Sequence, residues 1–332
     1  LIMKELLSTN MMQTSGYGLD EFSESARDKI RKACGAPEAG VYFLVGGTQT
    51  NATVIDALLR SYQGVLCADT GHIAVHEAGA IEFGGHKVLP LPNTDGKINA
   101  AQISAYMDTF LSDESHEHMV MPGMVYISQP TEYGTLYSRK ELTALNEACR
   151  RYHLPLYVDG ARLAYALASP DNDVTLKDLA RLCDVFYIGG TKCGAFFGEA
   201  VVIPDPALIP HLFTIIKQHG ALFAKGRILG IQFDALFTDD LYLHIGKSAL
   251  DCAAAIKSAL KENGYRFFLE TPTNQIFVIL ENEALHRLEK HAEFSFWENY
   301  DDSHTVIRIA TSWATTKEHT DALIELLKEN RA

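Results

Sequence analysis

The chain has 332 residues, 47% hydrophobic and 21% charged, which excludes disordered and fibrous classes and allows one large core or a large and a smaller domain. A net charge of −13, spread without blocks of like sign, excludes the basic stripe that a nucleic-acid partner requires. No apolar run approaches the roughly 18 residues of a membrane span.

Residues 1–19 read as an N-terminal segment. "LIMKELLSTNMMQ" has helical spacing and lacks the charged start, apolar stretch and small-residue cleavage site of a secretory signal. It begins with Leu1 partway through a helical pattern, so a short piece of the true N-terminus is expected to be missing.

From 20 to 238 short apolar runs alternate with helical patterns. The candidate strands are "VYFLVG" (41–46), "GVLCAD" (64–69), "KVLPL" (87–91), "VYIS" (125–128), "LPLYVDG" (154–160), "VFYIGG" (185–190) and "AVVIP" (200–204). "NATVIDALLRSY" (51–62) and "SRKELTALNEACRRYH" (138–153) are helical connections. The alternation predicts an α/β domain with a mostly parallel, seven-stranded sheet covered on both faces. "GGTKCGAFFGE" is too short for a crossover helix, so the last two strands are expected to be antiparallel neighbours and the sheet mixed. Helices fill 205–238. The segment 239–332 reads as a smaller α+β domain with a long helix (240–263), strands near 275–281 and 305–310, and a closing helix (317–330).

Cys34, Cys67, Cys149, Cys183, Cys193 and Cys252 form no C-x-x-C pair and read as reduced thiols of a cytoplasmic protein. There is no G-x-G-x-x-G after a strand, and "GKS" (246–248) lacks the upstream glycine of a P-loop. His72, His76 and Glu77 approach the zinc pattern H-E-x-x-H, but Ala80 stands where a histidine is needed, so no metal site is expected.

Lys192 lies between Gly190-Thr191 and Cys193-Gly194, just after a strand; alone this is equally a surface lysine in a turn. Asp159 stands at a strand's C-terminal end, where open α/β sheets bind ligands, and Arg162 follows three residues on; Asp-Gly there also suits a turn or cap. Gly46-Gly47-Thr48 opens a helix whose free amides would suit an anion. His72 follows another strand end. A phosphate cradle, a histidine, a carboxylate with an arginine and a lysine together suit pyridoxal 5'-phosphate. That cofactor needs a lysine for its Schiff base, a carboxylate for its ring nitrogen and a helix terminus for its phosphate.

"YVDGAR" followed about thirty residues later by "GGTKCG", with "GGTQTN" and "GHIAVHEAGA" upstream, resembles the threonine aldolase and β-eliminating lyase family of fold-type-I pyridoxal-phosphate enzymes. The likeness runs from "TSGYGLDEF" to "VIRIATSW". It implies that Lys192 forms the Schiff base, Asp159 pairs with the ring nitrogen, and His72 stacks on the ring and helps as a base. Gly47 and Thr48 would hold the phosphate, beside Thr191. Arg162 and Arg308 would clamp the amino-acid carboxylate so that the bond to be broken stands perpendicular to the ring; alternatively, Arg308 is an exposed charge on an edge strand. The family's members are usually homodimers or homotetramers, with Tyr17, Lys225 and Arg227 candidates for reaching the neighbour's site; the two basic residues suit helix capping equally well. Better-known aldolases carry a histidine where "SQPTEYGTLYS" has Glu132, so Glu132 either handles the substrate hydroxyl or is a turn residue. The implied reaction splits L-threonine, L-allo-threonine or a related β-hydroxy amino acid into glycine and an aldehyde. The alternatives are β-elimination on a β-substituted amino acid, or a doubly wound nucleotide-binding or regulatory protein with a structural Lys192.

Overall fold

A computed structural model describes residues 1–330. Its larger sheet contains β1 (Gly40–Leu44), β2 (Gln63–Ala68), β3 (Lys87–Leu91), β4 (Met121–Ser128), β5 (Leu156–Asp159), β6 (Val185–Gly189) and β7 (Glu199–Ile203). Their order is β1-β7-β6-β5-β4-β2-β3. Strands β2 to β6 pair in parallel, whereas β7 is antiparallel to both β6 and β1, as the short β6–β7 connection requires.

The apolar runs are near-continuous because both faces of the sheet are covered. Val125, Val158 and Phe186 point into a core shared with the helices Glu21–Cys34, Ala100–Ser112 and Arg139–Arg151. Their strand neighbours Tyr126, Tyr157 and Tyr187 enter a second core against the helix Gly47–Leu58. Each fully buried side chain of this size stabilises the fold by about 1.5–3 kcal/mol. Helix starts follow local chemistry. Ser138 accepts from Glu141 N while Glu141 accepts from Ser138 N, a capping box that opens Arg139–Arg151.

The smaller sheet has the order β10-β11-β9-β8, all antiparallel, from β8 (Arg266–Leu269), β9 (Gln275–Glu281), β10 (Ser295–Asn299) and β11 (His304–Ala310). The helices Lys247–Glu262 and Lys317–Glu329 pack with it. The sequence pattern did not predict β8 or β10, which are short and partly exposed. The long helix expected over 240–263 is broken. Asp239 and Asp240 adopt left-handed φ of 52° and 55°, a single turn Leu241–His244 follows, and the main helix begins only after Gly246. A Cβ at Gly246 would lie 2.6 Å from Ala164 O, so close packing on the large domain fixes that break. Strand β11 lies inside its sheet, which removes the edge-strand reading of Arg308. Among the described residues no helix is long and apolar enough to cross a membrane, and no cluster of His, Cys, Asp and Glu could hold a metal.

Candidate active site

The loop carrying Lys192 joins β6 to β7 and is fixed by its own backbone. Gly190 N and Thr191 N donate to Gly198 O at 3.0 and 3.1 Å, while Cys193 N and Ala195 N donate to Gly190 O. Gly190 N also reaches Glu199 Oε2, and Gly198 N reaches Thr191 Oγ1, each at 3.0 Å. Gly194 and Gly198 have φ of 101° and 115°, where a Cβ would strain the turn; this accounts for small residues around a long cation. Tyr165 donates its hydroxyl to Lys192 O (2.5 Å) and accepts from Trp313 N (3.3 Å). The Lys192 side chain is accessible through a cavity mouth, yet the surrounding walls desolvate its amine. That desolvation and the charge of Arg162 hold the amine below the ordinary lysine range, against the pull of Asp159 and Glu199.

Asp159, 4% exposed, lies beneath the cavity floor at the end of β5. Its Oδ1 accepts from the Tyr187 hydroxyl (2.5 Å) and Ala161 N (2.9 Å); its Oδ2 accepts from the Tyr126 hydroxyl (2.7 Å) and Asn51 Nδ2 (3.0 Å). Burial is the largest influence and pushes this carboxyl up, but the four donors together outweigh it and hold the group below its usual range, as an anion. The second N–H of Asn51 goes to Glu77 Oε1 (2.7 Å), which also meets His72 Nδ1 (2.7 Å). Two carboxylates can only accept from one amide, so this arrangement also sets the orientation of Asn51.

His72 opens the single turn His72–Val75. Its backbone N–H donates to Glu132 Oε1 (3.0 Å), and Ser128 donates its hydroxyl to the same oxygen (2.6 Å). Glu132 is 6% exposed and belongs to a tight turn closed by Thr131 N to Thr135 O and Gly134 N to Thr131 O. Gly134 adopts φ of 76°, where a side chain would be strained, and a Cβ there would also meet Thr273 Oγ1 at 2.7 Å. Desolvation, the dominant cause, pushes the Glu132 carboxyl up.

A cavity of about 400 Å³ opens between the two sheets and is lined by His72, His76, Glu132, Arg162, Lys192 and Arg308, with an aromatic wall of Tyr133, Phe296 and Trp297. Arg162, which precedes the helix Leu163–Ala168, has no ion pair among the described residues. Arg308 lies over the Trp297 ring at 5.5 Å, its Nη1 is 3.4 Å from Gln275 Oε1, and its buried Nε has no partner. Desolvation first, and the Arg162 charge second, lower its proton affinity. Glu132 and Glu298 line the same cavity, but among the described residues neither is ion-paired with Arg162 or Arg308, and two unpaired guanidiniums facing one space suit an anion.

Gly46, in extended backbone, caps the helix Gly47–Leu58 with no side chain, leaving its first amides open. A Cβ on Gly47 would lie 3.2 Å from the Tyr187 hydroxyl, so this helix end stands next to Asp159; Thr48 is exposed there, and Thr191 adjoins Lys192. Tyr17, Lys225 and Arg227 lie away from the cavity. Tyr17 N donates to Ala224 O (3.1 Å), Lys217 Nζ sits 4.6 Å over the Tyr17 ring, Arg227 Nη1 donates to Thr9 Oγ1 (3.0 Å), and Lys225 is exposed. Tyr17 and this basic segment share one surface. Sequence reasoning overlooked Asn51, Glu77, Tyr126, Tyr187, His76 and Trp297 as parts of the site. One signal was present: a tyrosine recurs in "VYIS", "LYVD" and "FYIG", placing hydroxyls in three neighbouring apolar strands.

These groups fit the parts of pyridoxal 5'-phosphate and an amino acid: an amine, an ionised carboxylate at a strand end, an uncapped helix terminus, and unpaired arginines with one orphaned buried N–H. The family model described as "Beta-eliminating lyase" matches residues 2–294. A low specificity L-threonine aldolase of Pseudomonas sp. is 31% identical over 278 residues, covering 82% of this chain and 78% of that protein. The structure of a Leishmania major threonine aldolase superimposes with a TM-score of 0.94 at 42% identity, covering 99% of this chain and 95% of that one. The fold extends to a serine palmitoyltransferase of S. paucimobilis with bound PLP, at TM-score 0.70 and 13% identity, covering 99% of this chain and 83% of that one. The chain belongs to the β-eliminating lyase family.

Proposed function

We propose that this protein is a pyridoxal-phosphate-dependent aldolase that cleaves the Cα–Cβ bond of L-threonine, L-allo-threonine or a related β-hydroxy amino acid to glycine and an aldehyde. One observation carries the reading: Arg162 and Arg308, neither of them ion-paired among the described residues, line the same cavity as Lys192, whose amine feels the charge of the ionised Asp159. The similarity to threonine aldolases supports it.

Lys192 would hold the cofactor through its amine, and Asp159 would keep a proton on the ring nitrogen. His72, fixed by Glu77, would face the ring. Gly47, Thr48 and Thr191 would take the phosphate at the open helix end. When bound, the cofactor supplies an electron sink for the pair released by the breaking bond. Arg162 and Arg308 bind the substrate carboxylate, each charged hydrogen bond contributing about 1.5–3 kcal/mol, and leave rotation about Cα–N as the remaining variable. Glu132 borders the β-substituent and recognises its hydroxyl.

The family's description favours one second reading, β-elimination, in which a bond at Cβ breaks. We further propose a cytoplasmic homodimer or homotetramer that uses the surface carrying Tyr17, Lys225 and Arg227. Purified protein should be yellow, lose its colour in Lys192→Ala, and release glycine and acetaldehyde from L-allo-threonine. Pyruvate and ammonia from a cysteine-type substrate, without glycine formation, would favour elimination; colourless protein that cannot be reconstituted would overturn both.

A further inference from the structure

His76 closes the turn that His72 opens, and its ring lines the same cavity as Lys192, Arg162 and Arg308. Its centroid is 5.6 Å from the His72 ring and 6.3 Å from Trp297, the residue that carries Arg308. It therefore stands between the residue assigned to the cofactor ring and the arginine assigned to the substrate carboxylate. Of the other basic groups nearby, Lys192 is assigned to the cofactor, His72 and Glu132 are each held through one side-chain atom (Nδ1 by Glu77, Oε1 by Ser128 and His72 N), and Asp159 is fully committed to four donors. The Tyr133 hydroxyl is committed to Glu298 Oε2 at 3.2 Å. Among the described residues neither ring nitrogen of His76 has a hydrogen-bond partner, although its backbone N–H is used by His72 O.

We propose that His76 is the catalytic base that removes the proton from the substrate's β-hydroxyl, with Glu132 as a fixed recognition group beside it. This rests on the aldolase reading above. The O–H proton passes to an imidazole nitrogen, and the oxygen's pair closes the carbonyl. The Cα–Cβ bond breaks with its pair left on the glycine fragment, the aldehyde departs, and Cα regains one proton to give glycine. His76 then returns its proton to water at the cavity mouth, where it is exposed. The groups around it are His72 and Glu77 on its own segment, Glu132 and Tyr133 on the turn after β4, Arg162, Lys192, Glu298 on β10 and Arg308 on β11. Desolvation, followed by the charges of His72, Arg308 and Arg162, lowers its proton affinity, so it is a neutral acceptor at pH 7.

The test compares two reactions of the holoenzyme: cleavage of L-allo-threonine and exchange of a glycine α-proton with D₂O. Only cleavage needs a β-hydroxyl base. His76→Asn should lower kcat for cleavage about a hundredfold with KM within about threefold, keep the bound-cofactor absorption band, and leave glycine exchange near wild type. As a readout independent of turnover, the His76 imidazole NMR signals should titrate below the range of free histidine, and the corresponding inflection should vanish from the kcat/KM profile of the variant. Cleavage within threefold of wild type, a parallel loss of cleavage and exchange, or a ring protonated through neutral pH would overturn the assignment. Failure of wild type in both reactions would instead overturn the aldolase reading.

Discussion

Beneath the floor of the cavity Asp159 receives four hydrogen bonds, and Asn51 spends both amide hydrogens on two carboxylates. At the rim Arg162 has no ion pair, Arg308 keeps an unpartnered Nε, and the His76 ring bonds to nothing among the described residues. The floor comes from adjacent parallel strands and the helix Gly47–Leu58 and is saturated before any ligand arrives; the rim comes from the segment after β5, a short turn and the smaller sheet. A buried charge is tolerable only when its partners are already in place. The His76 ring sits near water, where an unmade bond costs less, whereas Arg308 Nε is buried and its missing partner is one that a ligand would supply.

Breaking the floor should have the largest effect. Asp159→Ala is expected to lower kcat by about a thousandfold or more while weakening cofactor binding far less, because it removes a preorganised charge at the electron sink. Stopped-flow turnover beside cofactor titration checks this, and near-normal turnover would contradict it. At the rim, Arg308→Ala removes a contact made to substrate alone, so KM for the amino acid should rise about thirty- to hundredfold, equivalent to about 2–3 kcal/mol, with the cofactor band unchanged. An unaltered KM would remove Arg308 from the carboxylate site.

The smallest effect sharpens the comparison through stability. Glu199, on β7 beside the lysine loop, has its carboxyl pushed up to about 7, chiefly by burial. The folded protein thus binds this proton more tightly than the unfolded chain does. Its contribution is fully present below the ordinary glutamate range and is lost as pH rises through about 7. Glu199→Gln should therefore be more stable than wild type at pH 8.5, by on the order of 2 kcal/mol, and should show no advantage at pH 4.5. Urea midpoints at the two pH values test this; an equal difference at both would exclude titration of Glu199 as the cause.

The large sheet was legible because β1 to β7 are apolar runs, most of them bounded by glycine or proline, and the brevity of "GGTKCGAFFGE" already required an antiparallel pair. Strands β8 and β10 were not, since "RFFL" and "SFWEN" are short and owe their extended form to β9 and β11. The break at Gly246 was hidden as well: "GKSALDCAAAIKSALKE" is helical by propensity, and only the approach of Ala164 O dictates where it starts. In the site, Lys192, Asp159, His72 and Arg162 stood out because each follows a strand end. Asn51, Glu77 and Trp297 did not, because an amide in a helix, a glutamate near a histidine and a tryptophan in a strand are all ordinary.

Local sequence determined which strands form, which of their ends carry chemical groups, and that a lysine loop must turn back on itself, since apolar period, glycine content and connection length are properties of neighbouring residues. Only the tertiary structure decided that Asn51 bridges Glu77 and Asp159 across 26 and 108 residues, and that β10 brings Trp297 beneath Arg308. Those contacts depend on strand order and on how two sheets close over one cavity, which no local pattern encodes.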